Sequence, residues 1–334
     1  VNVETRAYAR AGLIGNPSDG YYGKTIAFLM RNFRATVTME ESDRLQVVPS
    51  EDDHVKFDSI DELAADVDRH GYYGGIRLVK ATIKKFHEYC RIRSLALDDR
   101  NFSIAYHTNI PRAVGMAGSS AIVCASMRAL MQFFGVEIPK EMLPTLVLRV
   151  ETEELEIPAG FQDRVVQVYG GMVYMDFSKE LMNHEGHGRY EEMDPSLLRN
   201  VYVAYDPTHA ECTEVRHSRL KTRFEEGDPD VLAAMKDFAR YTDEAKACLE
   251  GGDLRGLGRL IDANYDRRRS VCLLNPRHEK MVETARACGA SAKFAGSGGA
   301  IVGTYEHDAM FAALSESLES MGIEVIKPEI GGTS

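Results

Sequence analysis

Apolar and polar positions alternate over residues 25–30 and 34–40, and again over 102–106, and the apolar runs at 170–176 and 201–205 read as further strands. Such alternation marks strands with one buried face. Residues 6–16 read as a strand with an embedded glycine, and Pro17-Ser-Asp-Gly20 as a turn. Shorter strands are expected near 45–48 and 55–57, so the chain opens as antiparallel hairpins. The period then lengthens. Helices are predicted over 60–70, 75–93, 121–134 and 141–156. The glycine- and tyrosine-rich stretch 71–75 either borders a pocket or merely joins two helices. Residues 157–164 read as a loop and 183–189 as a polar surface excursion. Beyond residue 200 helices follow at 230–249, 254–269 and 277–288. A strand at 299–305, a helix at 308–321 and a strand at 323–327 finish the chain. The class is α+β. The chain is long enough for two domains with a core each, and the boundary is expected near 190, giving units 1–190 and 191–334.

Composition narrows the function classes. A formal net charge of −11 over 334 residues argues against nucleic acid as a partner, and an anionic substrate would have to meet a local basic cluster. The six cysteines, Cys90, Cys124, Cys212, Cys248, Cys272 and Cys288, are dispersed with no Cys-x-x-Cys pair. That reads as reduced thiols in a cytoplasmic protein rather than a disulfide framework or zinc site. No apolar run is long enough to span a bilayer, so no membrane partner is expected.

The chemistry centres on residues 111–121, Pro-Arg-Ala-Val-Gly-Met-Ala-Gly-Ser-Ser-Ala, between a strand and a helix. Free N–H groups collect at a helix start, and the helix dipole adds partial positive charge there. Gly115 and Gly118 allow a ligand to approach the backbone closely. Ser119 and Ser120 offer hydroxyls. The residues alone leave two readings open: an ordinary helix cap, or an anion site for nucleotide phosphates. Neither Gly-x-x-x-x-Gly-Lys-Ser/Thr nor Gly-x-Gly-x-x-Gly occurs.

Pro111-x-x-x-Gly115-Met-Ala117-Gly118-Ser119-Ser120-Ala121 resembles the second motif of the GHMP kinase superfamily, which includes galactokinases, homoserine kinases and mevalonate kinases. Arg10-Ala-Gly-Leu-Ile-Gly-Asn16-Pro-Ser-Asp19 is similar to the first motif, with Asn16-Pro17 where galactokinases carry Glu-His. Lys293-Phe-Ala-Gly296-Ser297-Gly298-Gly299 is similar to the third, with Ala295 where a hydroxyl residue is common.

The resemblance implies a two-domain GHMP kinase fold. Its N-terminal domain would be of the ribosomal-protein-S5-like domain 2 type and its C-terminal domain ferredoxin-like. It implies ATP along Pro111, Gly115, Ala117, Gly118, Ser119, Ser120 and Ala121, with Gly296, Ser297 and Gly298 packed against it. It implies Mg²⁺ held by Ser120 and a glutamate at the end of the acidic helix tail. Galactokinase-like spacing counted back from Asp163 gives Glu151, with Glu154, one turn on, as second choice. Asp163 would take the proton of the acceptor hydroxyl, and Arg10 would lie near the transferred group. Asp19, Asn16 and Tyr21 would bind the sugar.

Asn264-Tyr-Asp-Arg-Arg-Arg269 is a triple-arginine cluster. It reads either as cations at a helix C-terminus or as recognition of an anion, with Arg268 and Arg10 as candidates. Within the superfamily the chain is most similar to glucuronokinases, through Leu13-Ile-Gly-Asn-Pro-Ser-Asp19, Gln162-Asp-Arg164, Gln167-Val-Tyr-Gly-Gly171 and Met175-Asp-Phe-Ser-Lys179. That implies ATP-dependent phosphorylation of the anomeric hydroxyl of a sugar acid, D-glucuronate, to a sugar 1-phosphate. Heptose 7-phosphate kinases share much of the pattern. A sensor without turnover and a decarboxylase are the other outcomes the superfamily allows.

Overall fold

A computed structural model describes residues 1–50, 53, 58–64, 74–208 and 214–331. The period-two opening becomes one long hairpin. Strand β1 (Asn2–Ile14) lies antiparallel to β2 (Lys24–Ser42), paired from Asn2 against Glu40 to Ile14 against Ile26. The two strands expected over 25–30 and 34–40 are thus one strand. Its register slips where Tyr8 faces Arg34 and Ala9 faces Met30, a bulge that bends the ribbon without ending it. The C-terminal stretch docks on that bulge: Arg31 N donates to Glu329 O at 2.9 Å, and Glu329 N donates to Asn32 Oδ1 at 2.8 Å.

The free edge of β2 is shared by β4 (Asn101–Thr108) and β5 (Met172–Asp176). Strands β3 (Gln46–Val48) and β6 (Arg189–Met193) extend the sheet on the two sides. Helix α1 (Gly75–Ile92) and helix α2 (Gly118–Phe134) pack together over it. Helix α2 is apolar nearly all round, from Ala121 to Phe133, as a helix sandwiched between layers must be.

The second sheet is antiparallel, in the order β10 (Glu324–Ile326), β7 (Val201–Tyr205), β9 (Ala300–Thr304), β8 (Lys293–Phe294). The chain changes sheets in residues 194–200, after β6 has carried the first sheet past residue 190. Val203, Ala295 and Val302 share one core cluster with Leu13, Ile14 and Val114, so apolar packing is continuous across the two sheets.

Several expectations are corrected. The helix predicted over 141–156 is α3 (Leu143–Arg149) followed by a π turn, Val150–Glu154. Asp163 lies not on a loop but in the first turn of α4 (Gln162–Tyr169). The excursion 183–189 contains the end of α5 (Lys179–Glu185) and the start of β6. An unforeseen helix, α6 (Glu214–Glu225), precedes α7 (Pro229–Gly251), α8 (Leu254–Val271), α9 (Pro276–Ala287) and α10 (Asp308–Glu319). The strand at 55–57 and most of the stretches 65–70 and 71–75 lie outside the described residues, as does Cys212. The other five cysteines are free thiols. Among the described residues no helix is long and apolar enough to cross a membrane.

Candidate active site

The three motif segments converge where the two sheets meet. The turn Gly296–Gly299 presses on the loop before α2, backbone against backbone. A Cβ on Gly115, whose φ is +73°, would come within 2.5 Å of Gly298 O, and one on Gly296 within 2.3 Å of Gly115 O. Only glycine fits both sides of such a contact. Pro111 opens the loop half-buried, and Ala121 is buried behind it. Ala117 enters α2 in the left-handed conformation, φ 63°, and supplies no side-chain cap. The first N–H groups of α2, from Gly118 on, are therefore capped by no side chain of Ala117, which suits a helix start that receives an anion.

Two arginines organise the carboxylates beneath. Arg10 Nε donates to Asp163 Oδ1 at 2.6 Å, and its Nη1 donates to Gly115 O at 2.6 Å and Ala295 O at 3.3 Å. One guanidinium thus joins all three motifs to α4. Arg164, fully buried, donates through Nη1 to Asp163 Oδ2 at 3.2 Å and through Nε to Glu151 Oε2 at 3.0 Å. Glu151 Oε1 accepts from Ser119 Oγ at 2.8 Å. A hydroxyl and a carboxylate side by side at the mouth of a phosphate-type loop are the hard-oxygen donors that Mg²⁺ takes, with waters and phosphates completing its shell. Among the described residues no cluster of three or more acidic, His or Cys side chains forms a metal cage.

The hydroxyl next to Glu151 belongs to Ser119. Ser120, expected in that place, is wholly buried, and its Oγ donates back to Ala117 O at 3.1 Å. Position along the helix explains this: Ser120 lies on the core face of α2 and Ser119 on the outer one. Glu154 turns the other way. Both its oxygens pair with α1, one with Lys84 and one with Lys85 at 2.8 Å, and those lysines hold its carboxyl below the usual range.

Asp19 is brought to Asp163. It sits in a 3-10 turn, Ser18–Gly20, buried, with its Oδ2 accepting from Gln162 N at 3.1 Å. Gly160 makes the room: a Cβ there would lie 2.0 Å from Asp19 Oδ2. Burial, then the charge of Asp163, pushes Asp19 up to about 6, with Arg10 and the Gln162 amide pulling the other way. Asn16 and Gln162 flank Gly12. Their buried oxygens, Asn16 Oδ1 and Gln162 Oε1, have no partner among the described residues. Tyr21 packs on Phe224, ring centroids 4.9 Å apart, and burial pushes its phenol up.

Arg268 lies against the glycine turn. Its Nη1 donates to Gly296 O at 2.7 Å and its Nη2 to Ser297 O at 3.1 Å, with the guanidinium 5.3 Å over the Phe294 ring. It shapes the glycine turn. Of its neighbours in the triple cluster, Arg267 pairs with Asp237 and Arg269 with Glu279.

Arg164, Gln167 and Lys293, quoted above within motif segments, had no role assigned from sequence. Gln167 Nε2 ties Ala117 O to Tyr8 O, at 3.0 Å each. Lys293 is buried with Nζ on Gly12 O at 2.6 Å and Phe294 O at 2.8 Å. Burial, reinforced by Arg268 and Arg10, pulls its ammonium well below the ordinary lysine range. Arg164 stood in plain view beside Asp163; its buried reach to Glu151 depends on the π turn, which no local pattern announces.

The sequence and the fold have counterparts in known proteins. Residues 77–171 match the family model described as GHMP kinases N terminal domain, and residues 245–323 the one described as GHMP kinases C terminal. The chain is similar to probable glucuronokinase 2 of Arabidopsis thaliana, 44% identical over 306 residues, covering 90% of this chain and 83% of that one. It is similar to glucuronokinase 1 of the same plant at 43%, covering 90% and 84%. The crystal structure of Lactococcus lactis galactokinase complexed with galactose superposes with a TM-score of 0.75 at 16% identity, covering 99% of this chain and 94% of that one, a likeness of fold. Both models match in chain order, one on each sheet, and the high identity runs through nearly the whole length. The chain therefore belongs to the GHMP kinases, as an ATP-dependent kinase whose sequence is glucuronokinase-like.

Proposed function

We propose that the chain transfers the γ-phosphoryl group of ATP to the anomeric hydroxyl of D-glucuronate, giving D-glucuronate 1-phosphate and ADP. The observation that carries this is the Asp19–Asp163–Arg10 cluster next to the uncapped start of α2, in a chain so similar to glucuronokinases. The sugar oxygen forms the new P–O bond as the bond to the departing ADP oxygen breaks, and the hydroxyl proton passes to a carboxylate. Asp163 is that carboxylate. Arg10 and Arg164 grip it from two sides and fix its orientation toward the acceptor. Arg10 also reaches Gly115 O, which puts positive charge beside the phosphate loop, where charge develops during transfer. Asp19 orients the sugar through its hydroxyls. The unpartnered oxygens of Asn16 and Gln162 are acceptors of the kind that sugar hydroxyls satisfy.

Ser119 and Glu151 are the residues that would hold Mg²⁺, which when bound neutralises phosphate charge. Arg268 enters this reading as support for the glycine turn, not as the partner of the sugar's carboxylate. The change of sheets in residues 194–200 is taken as the division between the two lobes.

The test is ATP consumption against D-glucuronate, D-galacturonate, D-galactose, heptose 7-phosphate and mevalonate. Turnover with glucuronate and little with galactose is expected, with the phosphate on C1 by NMR. Turnover confined to heptose phosphate would move the acceptor to a phosphorylated sugar. Absence of turnover with every acceptor would overturn the proposed reaction.

A further inference from the structure

Glu151 lies in a π turn, and π geometry is rare, occurs mostly as single turns and concentrates at functional sites. Something must hold Val150–Glu154 in that form against relaxation to an α-helix. Removing the extra residue of a π turn rotates the downstream residues by roughly 100°, the angle of one residue in an α-helix. Glu153 and Glu154 would then be turned relative to Glu151, and the three carboxylates could not divide as they do between Ser119 with Arg164 and α1.

The hold comes from α1. Lys85 Nζ lies 2.8 Å from Glu154 Oε1, 3.0 Å from Glu153 Oε2 and 3.0 Å from Glu88 Oε2. Lys84 pairs with the other oxygen of Glu154 and, at 3.5 Å, with Glu88. Arg149 reaches Glu153 at 3.4 Å from the turn before. The side chains of Lys85 and Glu154 are only 10% and 11% exposed, so this contact is far less screened than a surface ion pair. The acidic run is split. Glu151 turns inward to Ser119 and Arg164, and Glu153 and Glu154 turn to α1.

We propose that Lys84 and Lys85 are positioning residues for the metal-binding carboxylate. By gripping Glu153 and Glu154 they keep the turn in its π form and hold Glu151 against Ser119. This rests on the reading of Ser119 and Glu151 as the Mg²⁺ ligands. A purely structural clamp would change the thermal midpoint and leave metal affinity alone; a positioning clamp changes metal affinity.

The experiment titrates Mn²⁺ into the full chain with a non-hydrolysable ATP analogue and monitors free Mn²⁺ by EPR, alongside the thermal midpoint and metal-free analogue binding by calorimetry. The double variant Lys84→Met/Lys85→Met is expected to bind Mn²⁺ about tenfold more weakly, the usual effect of removing an outer support of a metal ligand, with metal-free analogue binding unchanged. Lys84→Arg/Lys85→Arg is expected to recover most of the affinity. Unchanged Mn²⁺ affinity in the folded double variant overturns the proposal. If the double variant does not fold, Lys84→Met decides: its side chain is 61% exposed, and wild-type Mn²⁺ affinity there overturns the proposal equally. Glu151→Gln separates the two readings. If it binds Mn²⁺ like wild type, the metal reading itself fails, whatever the lysines do.

Discussion

Replacing Asp19 with Asn is expected to stabilise the fold while removing activity. Asp19 is buried beside Asp163 and is pushed up to about 6 from an ordinary 3.8. The fold therefore disfavours its ionised form. The native state holds the proton more tightly than the unfolded chain does, so this group lowers stability as pH rises from 3.8 through about 6. The penalty is fully present above that range. At about 1.4 kcal/mol per pH unit, the shift is worth about 3 kcal/mol at neutral pH, as a ceiling. Asn can keep the hydrogen bond from Gln162 N, and it replaces a charge that Asp163 repels with a neutral amide. The assay is the thermal midpoint of wild type and Asp19→Asn at pH 7.5 and at pH 4.5. The variant should melt a few degrees higher at pH 7.5, at about 1.4 °C per kcal/mol for a chain of 334 residues, and the gap should narrow at pH 4.5. A variant that is destabilised, or a gap independent of pH, would refute the account of Asp19 as a strained buried carboxylate. A stabilised variant with wild-type KM for the sugar would instead remove its role in binding.

The other expectations concern the neighbours of that carboxylate. Asp163→Asn should cut turnover by roughly two or more powers of ten while calorimetry shows ATP binding retained; near-wild-type kcat would remove the proton-acceptor role. Gly115→Ala, at φ +73° and 2.5 Å from Gly298 O, should cost about 1–3 kcal/mol of stability and weaken ATP binding, and unaltered ATP affinity would mean that the contact is not part of the nucleotide site. Arg268→Met should raise KM for ATP about tenfold or more, since two charged hydrogen bonds to the glycine turn are lost, and leave KM for the sugar unchanged. A selective rise in the sugar's KM would return Arg268 to the anion.

The sequence was most legible where one local rule sufficed. Strand β7 needed only its short apolar run, and α7 to α9 only their period, an Asp or Asn cap and, for α7, a terminal glycine. The three motif segments were visible as glycine patterns. The details of their contact were not, because they depend on neighbours distant in sequence. Whether Ser119 or Ser120 meets Glu151 is decided by which face of α2 packs on the core. Glu151 and Glu154 would share one face of a regular helix, and the π turn with its lysine partners from α1 sends them apart. The basic cluster left Arg268 open to two readings, and its bond to a carbonyl of the glycine turn, 28 residues on, belongs to no local pattern.

The contact between Gly115 and the turn at Gly296 and Gly298 is made by main-chain atoms on both sides. Such a joint carries no side-chain code. Recombination between relatives could exchange one lobe for another without re-matching a jigsaw of side chains, provided the glycines are kept. Arg10 reaches across the joint to Ala295 O and Lys293 back to Gly12 O, but each reads only a carbonyl. Chimeras cut in residues 194–200 should therefore assemble their nucleotide site more readily than their apolar core, where Leu13 and Val203 must still fit each other's shape.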